Sequence, residues 1–421
     1  MNLIFLTMSR LENISDRGIY RDLLRKFRDE GHGIYLVVPY ERFLGKSTEI
    51  LEKDGIHILG VRTLNLQKTN VIEKGLGQVL VESQYKAAIK KHIGDVKFDL
   101  ILYSTPPITF PNVIGYLKKE NPQAKSYLLL KDIFPQNAVD LGMMKKTGVK
   151  GLLYKYFRNK ERKLYALSDF IGCMSPANVE YVLKHNPEID TDRVEVAPNS
   201  VELQSELSRS EERAKRQTER NYMRSKYCLP VDKPVFIYGG NLGKPQGIPF
   251  LIECLNTNAN REDCYFLVIG TGTELPKLMA WYDEKKPKNV KVMKGLPKSE
   301  YDELVRSCDV GLIFLDHRFT IPNYPSRLLS YLENKMPALC ATDPNTDMGR
   351  IAEENGYGYW CESNSVEDFT SILDRMIHSD RRAMGENGFE FLKKNYLVEN
   401  TYNAIMKHFG FRSGNIDEGA I

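Results

Sequence analysis

Short runs of β-branched and aliphatic residues alternate along the chain with amphipathic stretches of helical period. Asn2–Thr7, Ile34–Val38, Ile56–Val61, Asp99–Ser104, Ser126–Leu130, Phe170–Met174 and Arg193–Val196 have the length and composition of strands. Between them, Ile19–Glu30 and Val79–Ile93 carry an apolar helical stripe, and Gly31-His32-Gly33 ends the first of these helices. Such alternation predicts a mostly parallel α/β sheet. From Leu203 to Lys226 the pattern fades into dense mixed charge, which reads as a solvated helix or linker. The alternation then resumes. Strands are expected at Pro234–Tyr238, Tyr265–Ile269, Val290–Met293, Val310–Phe314 and Ala338–Ala341. Helices are expected at Ile248–Leu255, Glu274–Trp281, Val366–Ile377, Arg381–Asn395 and Glu399–Phe409. The expected organisation is a domain of residues 1–202, a charged linker 203–230, a second domain 231–395 and a terminal segment 396–421. Two doubly wound, Rossmann-like domains facing a cleft would bind ligand at the carboxyl ends of their strands.

Composition narrows the function classes. A chain of 421 residues exceeds one comfortable core, which agrees with two domains. A net charge of +4 is too mild to argue for nucleic acid. No apolar run is long enough to span a bilayer, and the opening MNLIFLTMSR lacks the basic lead and cleavage site of a signal peptide. Seven scattered cysteines without a CxxC pair read as reduced thiols of a cytoplasmic protein, with no structural zinc expected.

The segment Pro234–Leu255 carries the strongest chemical signal. An apolar strand ends in Gly239-Gly240, a polar loop with Asn241 and Lys244 follows, and Gly247 precedes a helix. Glycines admit close backbone approach, and amides at a helix start suit a phosphate. An ordinary βα turn explains the same glycines, and the loop alone does not separate the two. Gly270-Thr271-Gly272 resembles the start of a dinucleotide fingerprint, but Leu275 stands where its third glycine belongs, so hydride transfer is poorly supported.

GGNLGKPQG and the helix after it resemble the donor loop of family 4 glycosyltransferases, closest to the branch that builds bacterial capsule, O-antigen and exopolysaccharide units. FDLILYSTPP, KDIFPQNAVDLGM, LSDFIGCMSP and RVEVAPNSVE in the first half continue the resemblance. VIGTGTELPKL, VMKGLPKSEYDEL, SCDVGLIFL and NYPSRLLSYLENKMPAL carry it through the second, in the family's order. The resemblance implies a GT-B fold and retaining transfer from a UDP- or GDP-sugar, without an obligatory metal or other cofactor. It implies a glycan acceptor, lipid-linked on a carrier such as undecaprenyl diphosphate, and a last helix packed back on the first domain. Two departures stand out. Where many members carry Arg and Lys in the first loop, this chain has Asn241 and Gln246; where they carry a Glu-x7-Glu pair, it has Pro322 and Ser330.

Phosphate binding is then expected of Lys244 and of Tyr324-Pro325-Ser326-Arg327-Leu328, whose early amides, Ser326 hydroxyl and Arg327 guanidinium suit a diphosphate. Gly239, Gly240, Gly270 and Gly272 are expected to line the donor, and Gly295-Leu296 to face the base. Glu333 replaces the missing ribose carboxylate or is a solvated helix residue. On the acceptor side, Asp132 is the candidate to orient a hydroxyl. Asp16, Arg17 and Gly18 meet substrate, unless Ser15 or Asp16 simply caps the following helix. His32 is expected at the surface or as a cap.

Val149, Leu152, Leu153, Tyr156 and Phe157 form one apolar helix face, surrounded by Lys145, Lys146, Lys150, Lys155, Arg158, Lys160, Arg162 and Lys163. Either this face packs on the core, or it lies peripherally on an anionic membrane surface, which lipid-linked acceptors favour. The expected function is thus glycosyl transfer, of hexosyl or N-acetylhexosaminyl type. A silent sugar-nucleotide-binding subunit and a GT-B epimerase are the rivals.

Overall fold

The computed structural model describes residues 1–66, 71–203 and 209–410, with the side chains of 71–76, 78, 149–150 and 209–216 outside the description. The chain divides into two units, Met1–Glu202 with the segment from Val398 onward, and Leu203–Leu397.

The first unit is built on eight strands: β1 (Asn2–Leu6), β2 (Gly33–Glu41), β3 (Glu49–Lys53), β4 (Ile56–Thr63), β5 (Leu100–Ser104), β6 (Lys125–Leu130), β7 (Phe170–Cys173) and β8 (Val194–Val196). Their order is β3-β4-β2-β1-β5-β6-β7-β8, parallel throughout except for β3. Central β1 has Leu3, Ile4, Phe5 and Leu6 essentially inaccessible, as a strand covered on both faces must be. Antiparallel β3 was not expected from the sequence: it is a largely exposed edge strand, and its Glu49, Glu52 and Lys53 blunt an open edge. The helix anticipated at Val79 starts earlier, at Val71. Helix Val398–Met406 belongs to this unit, with Val398, Tyr402, Ile405 and Met406 sharing a core with Phe5, Leu24 and Phe27. His32 is part of the cap of the first helix, its amide donating to the Phe27 carbonyl at 3.1 Å, and its side chain is no free surface group: its Nε2 lies 2.9 Å from the Tyr402 hydroxyl. Burial pushes its pKa down.

The second unit holds β9 (Val235–Asn241), β10 (Tyr265–Thr271), β11 (Val290–Lys294), β12 (Val310–Phe314), β13 (Ala338–Thr342) and β14 (Gly358–Glu362). All run parallel, in the order β11-β10-β9-β12-β13-β14. Phe236, Tyr238, Phe266, Leu312 and Phe314 form its core with Leu251, Leu278 and Phe369 from the covering helices. The charged stretch, expected as a solvated helix or linker, is helical but not wholly solvated. Residues Arg209–Lys226 form a helix whose final turns pack on this unit. Arg224 is fully buried, reaching Asp309 at 2.5 Å and the carbonyls of Ser307 and Pro230 at 2.9 and 2.7 Å. A buried guanidinium with every partner supplied looks, in sequence, like one more surface charge.

Candidate functional site

In each sheet the strand order reverses beside its first strand, and the crevice outside such a reversal is where open α/β sheets bind ligands. In the second unit it falls between β9 and β12. Gly247, which ends the loop after β9, has φ +56°, and a Cβ there would sit 3.2 Å from the Leu315 carbonyl oxygen. The Asp316 amide donates to the Pro245 carbonyl at 3.0 Å, tying the loops after β9 and β12 together.

Arg327 follows the second of these loops. Its guanidinium stacks 4.4 Å above the centre of the Tyr238 ring, and its Nη1 is buried without a hydrogen-bond partner. A Cβ on Gly240 would lie 4.0 Å from this guanidinium. Tyr301 and Tyr331 complete its surroundings, and burial pushes the Tyr301 phenol up to about 12. Neutral phenols therefore flank the cation, and among the described residues no carboxylate forms an ion pair with it. A desolvated cation lacking its counter-ion is a site for an anion.

The loop after β9 is closed by amides. Asn241 Nδ2 donates to Gln246 Oε1 at 3.0 Å, and the Gly243 amide donates to the same oxygen at 3.1 Å. The Tyr238 hydroxyl donates to the Asn241 carbonyl at 2.8 Å, so one residue supports both the loop and Arg327. The two positions at which the sequence departs from the expected family pattern thus hold each other. Lys244, in the same loop, is exposed and forms no ion pair among the described residues.

The structure places the remaining donor-side candidates as follows. Gly270 and Gly272 face this loop's backbone: a Cβ on either would fall 1.9 Å from the Gly240 oxygen or 2.2 Å from that of Leu242. Gly295 and Leu296 follow β11, with Gly295 beside the Thr271 methyl group. Gly239 leaves room for the Tyr301 ring. Ser326 is exposed ahead of the helix Arg327–Glu333, and Glu333 stands half-buried at that helix's other end. The Tyr324 hydroxyl is bonded to Tyr396, so this side chain offers its ring and backbone rather than its phenol. The early amides are less available than expected, because Leu328 and Leu329 donate to the Pro325 and Ser326 carbonyls at 3.2 and 3.1 Å. Sequence reasoning overlooked Asp343, just past β13. It accepts the Thr346 amide and hydroxyl at 2.9 Å, and Thr346 Oγ1 accepts the Asn323 amide at 3.0 Å. This supports the loop leading to Arg327, and an Asp-Pro-Asn-Thr after a strand was the available signal.

In the first unit the reversal lies between β1 and β5. Asp16 is exposed, and Arg17 donates to the Glu202 carbonyl at 3.1 Å. Neither Ser15 nor Asp16 caps the helix Ile19–Asp29; instead the Gly18 amide donates to Asp22 Oδ1 at 2.9 Å, from inside the helix. Asp132 follows β6. Burial pushes its pKa up to about 6, against the pull of the Asn137 amide, which donates to both oxygens at 2.8 and 2.9 Å. Beside it, burial lowers Lys131 to about 7, with its ammonium donating to the Ala197 carbonyl at 3.1 Å. A carboxyl and an amine that both titrate near neutrality suit contact with a hydroxyl substrate.

Residues 219–391 match the family described as glycosyl transferases group 1. This match falls within the second unit. The matched stretch covers both the loop after β9 and Arg327. Across most of its length the chain is similar to the probable glycosyltransferase WbjE of Pseudomonas aeruginosa, at 23% identity over 350 residues, 78% of each chain. Its fold is that of the GT-B glycosyltransferases. Sucrose-phosphate synthase of Thermosynechococcus elongatus superposes with a TM-score of 0.72 at 11% identity, covering 97% of this chain and 98% of that one. HepE of Anabaena, solved in complex with UDP-glucose, gives 0.67 at 12% identity, covering 97% and 99%. Among the described residues, no group of three or more His, Cys, Asp or Glu is placed to hold a metal ion. No described helix is long and apolar enough to cross a membrane.

Proposed function

We propose that the chain is a retaining glycosyltransferase that moves a hexosyl or N-acetylhexosaminyl group from a UDP- or GDP-sugar onto a glycan acceptor. The proposed acceptor is lipid-linked, on a carrier such as undecaprenyl diphosphate, and the product a unit of a bacterial capsule or exopolysaccharide, as in the family 4 branch. The observation that carries this reading is Arg327, a half-buried guanidinium on Tyr238 with an unpartnered Nη1, within the stretch that matches glycosyl transferases group 1. Its nearness to Gly240 suits a diphosphate lying across the ends of β9 and β12. The names of WbjE and the UDP-glucose complex of HepE agree with it.

In the proposed reaction the bond from the anomeric carbon to the diphosphate oxygen breaks. The acceptor oxygen bonds to that carbon on the same face, and the acceptor proton passes to the departing diphosphate. Arg327 and Lys244 stabilise the charge that grows on the leaving group, a role that needs no metal. Asp132, ionised above its pKa of about 6, accepts a hydrogen bond from the acceptor hydroxyl and orients it. A second reading, a silent sugar-nucleotide-binding subunit, is favoured by the neutral Asn241–Gln246 pair in the loop after β9. Incubation with a panel of nucleotide-sugars and membrane-extracted acceptors separates them. A transferase releases nucleoside diphosphate in an acceptor-dependent manner, a silent subunit binds without release, and an epimerase converts the donor without an acceptor.

A further inference from the structure

Helix Gly148–Leu167 is turned the opposite way from an ordinary surface helix. Its inward side buries Gly151, Glu161, Leu164 and Tyr165. Arg158 also points inward, pairing with Glu161 at 2.6 Å, while the Tyr165 hydroxyl donates to the same carboxylate at 2.9 Å. Lys160 reaches the buried Glu82 at 3.1 Å. The apolar side faces out: Leu152 is 66% exposed, Leu153 51% and Tyr156 42%, with Met143 just before the helix at 53%. These side chains therefore do not pack on the core. The helix's one carboxylate is buried and neutralised, so the exposed charges among its described side chains are positive, at Lys155, Lys163 and Arg162, the last lying 3.9 Å from the exposed Glu188 carboxylate. Lys145 and Lys146 add two more at the approach to the helix.

We propose that this face docks on the surface of an anionic lipid bilayer. Exposed aliphatic and aromatic side chains enter the headgroup region while surrounding lysines meet lipid phosphates. The lysines decide between a bilayer and a protein partner, because protein interfaces are depleted in lysine, whereas an anionic membrane attracts each one. Phe157 joins this face to the loop after β6, its ring packing edge-on against Phe134 at 5.0 Å, two residues beyond Asp132. Docking here would bring the Asp132 loop to the membrane, where a lipid-linked acceptor resides. The docking itself does not depend on the transfer reading and is measured without substrate.

The test is co-sedimentation of the full chain with vesicles of phosphatidylcholine alone and of phosphatidylcholine with phosphatidylglycerol. Wild type should pellet with the anionic vesicles, remain largely free with neutral ones, and dissociate as salt rises. The Lys146→Glu/Lys155→Glu variant should lose more than about tenfold in binding, because each reversal replaces attraction with repulsion. A Leu152→Gln/Leu153→Gln variant should weaken binding even at low salt. All four side chains are exposed, so thermal unfolding of both variants should match wild type. Wild type that ignores anionic vesicles, variants that bind as wild type does, or a face that self-associates in place of binding lipid would each overturn the proposal.

Discussion

Around Arg327 the chain uses phenols where an ion pair would normally stand. Tyr238 lies beneath the guanidinium, and Tyr301 and Tyr331 sit close enough to act on it electrostatically. A carboxylate there would satisfy the cation and compete with a phosphate, whereas a phenol holds its plane and leaves its charge available. Arg327→Lys should therefore recover only part of the donor efficiency lost in Arg327→Ala, since an ammonium keeps the charge without the planar fork. Steady-state kinetics at varied donor concentration checks this, and full recovery by lysine would show that geometry is irrelevant there. At Asp132 the expectation concerns pH. Its folded pKa of about 6 lies above the ordinary carboxylate value, so the folded state holds the proton more tightly than the unfolded chain. Stability from this residue is thus present at low pH and lost as pH rises from the ordinary carboxylate range through about 6. Acceptor efficiency should move the opposite way, rising through about pH 6 as the carboxylate forms. Asp132→Asn should remove both trends. An unchanged pH profile in that variant would take Asp132 out of the acceptor site.

The loop after β9 and the helix Arg209–Lys226 show what an element can hide. Asn241 and Gln246 are, in sequence, two neutral positions beside Lys244; in the structure they form a hydrogen bond that holds the loop shut. Gln246→Ala should free Asn241 and the Gly243 amide and raise the donor KM severalfold, each neutral hydrogen bond contributing about 1 kcal/mol. A glutamine-to-alanine variant with unaltered donor KM would make this bond incidental. Arg224→Ala should destabilise the second unit by about 1–3 kcal/mol, because the carbonyls of Ser307 and Pro230 lose their buried donor while Arg220 still pairs with Asp309; a denaturant midpoint close to wild type would contradict this. These same residues explain what the sequence could tell. Strands buried on both faces, such as β1, β9, β10, β12 and β13, announce themselves as apolar runs, and the glycines around β9 and β10 mark the loop. Edge strand β3, exposed and mixed in charge, leaves no such run. Arg224 and the Tyr238–Tyr301–Arg327 grouping depend on partners far apart in the chain, and no local pattern encodes those. The helix Gly148–Leu167 was legible as amphipathic, but which side faces in is settled by Glu82 and Glu161, whose burial the period does not reveal.

At the scale of the whole molecule, the two units share one design of parallel sheets with a reversal beside the first strand, and divide the candidate chemistry between them. The second carries Arg327 and Lys244, which are expected to meet the diphosphate. The first carries Asp132 and the exposed basic helix. Because the proposed leaving-group charge rests on side chains, transfer should persist in EDTA; complete loss on chelation, restored by magnesium or manganese, would contradict that. The central claim is that a nucleoside diphosphate binds at Arg327, and calorimetric titration of UDP and GDP into wild type and Arg327→Ala, in EDTA, addresses it most directly. A charged hydrogen bond contributes roughly 1.5–3 kcal/mol, so one of the two nucleotides should bind wild type and lose on the order of 10- to 100-fold in the variant. Equal affinity in the two proteins, with the variant fully folded, would remove Arg327 from the donor site and the account with it.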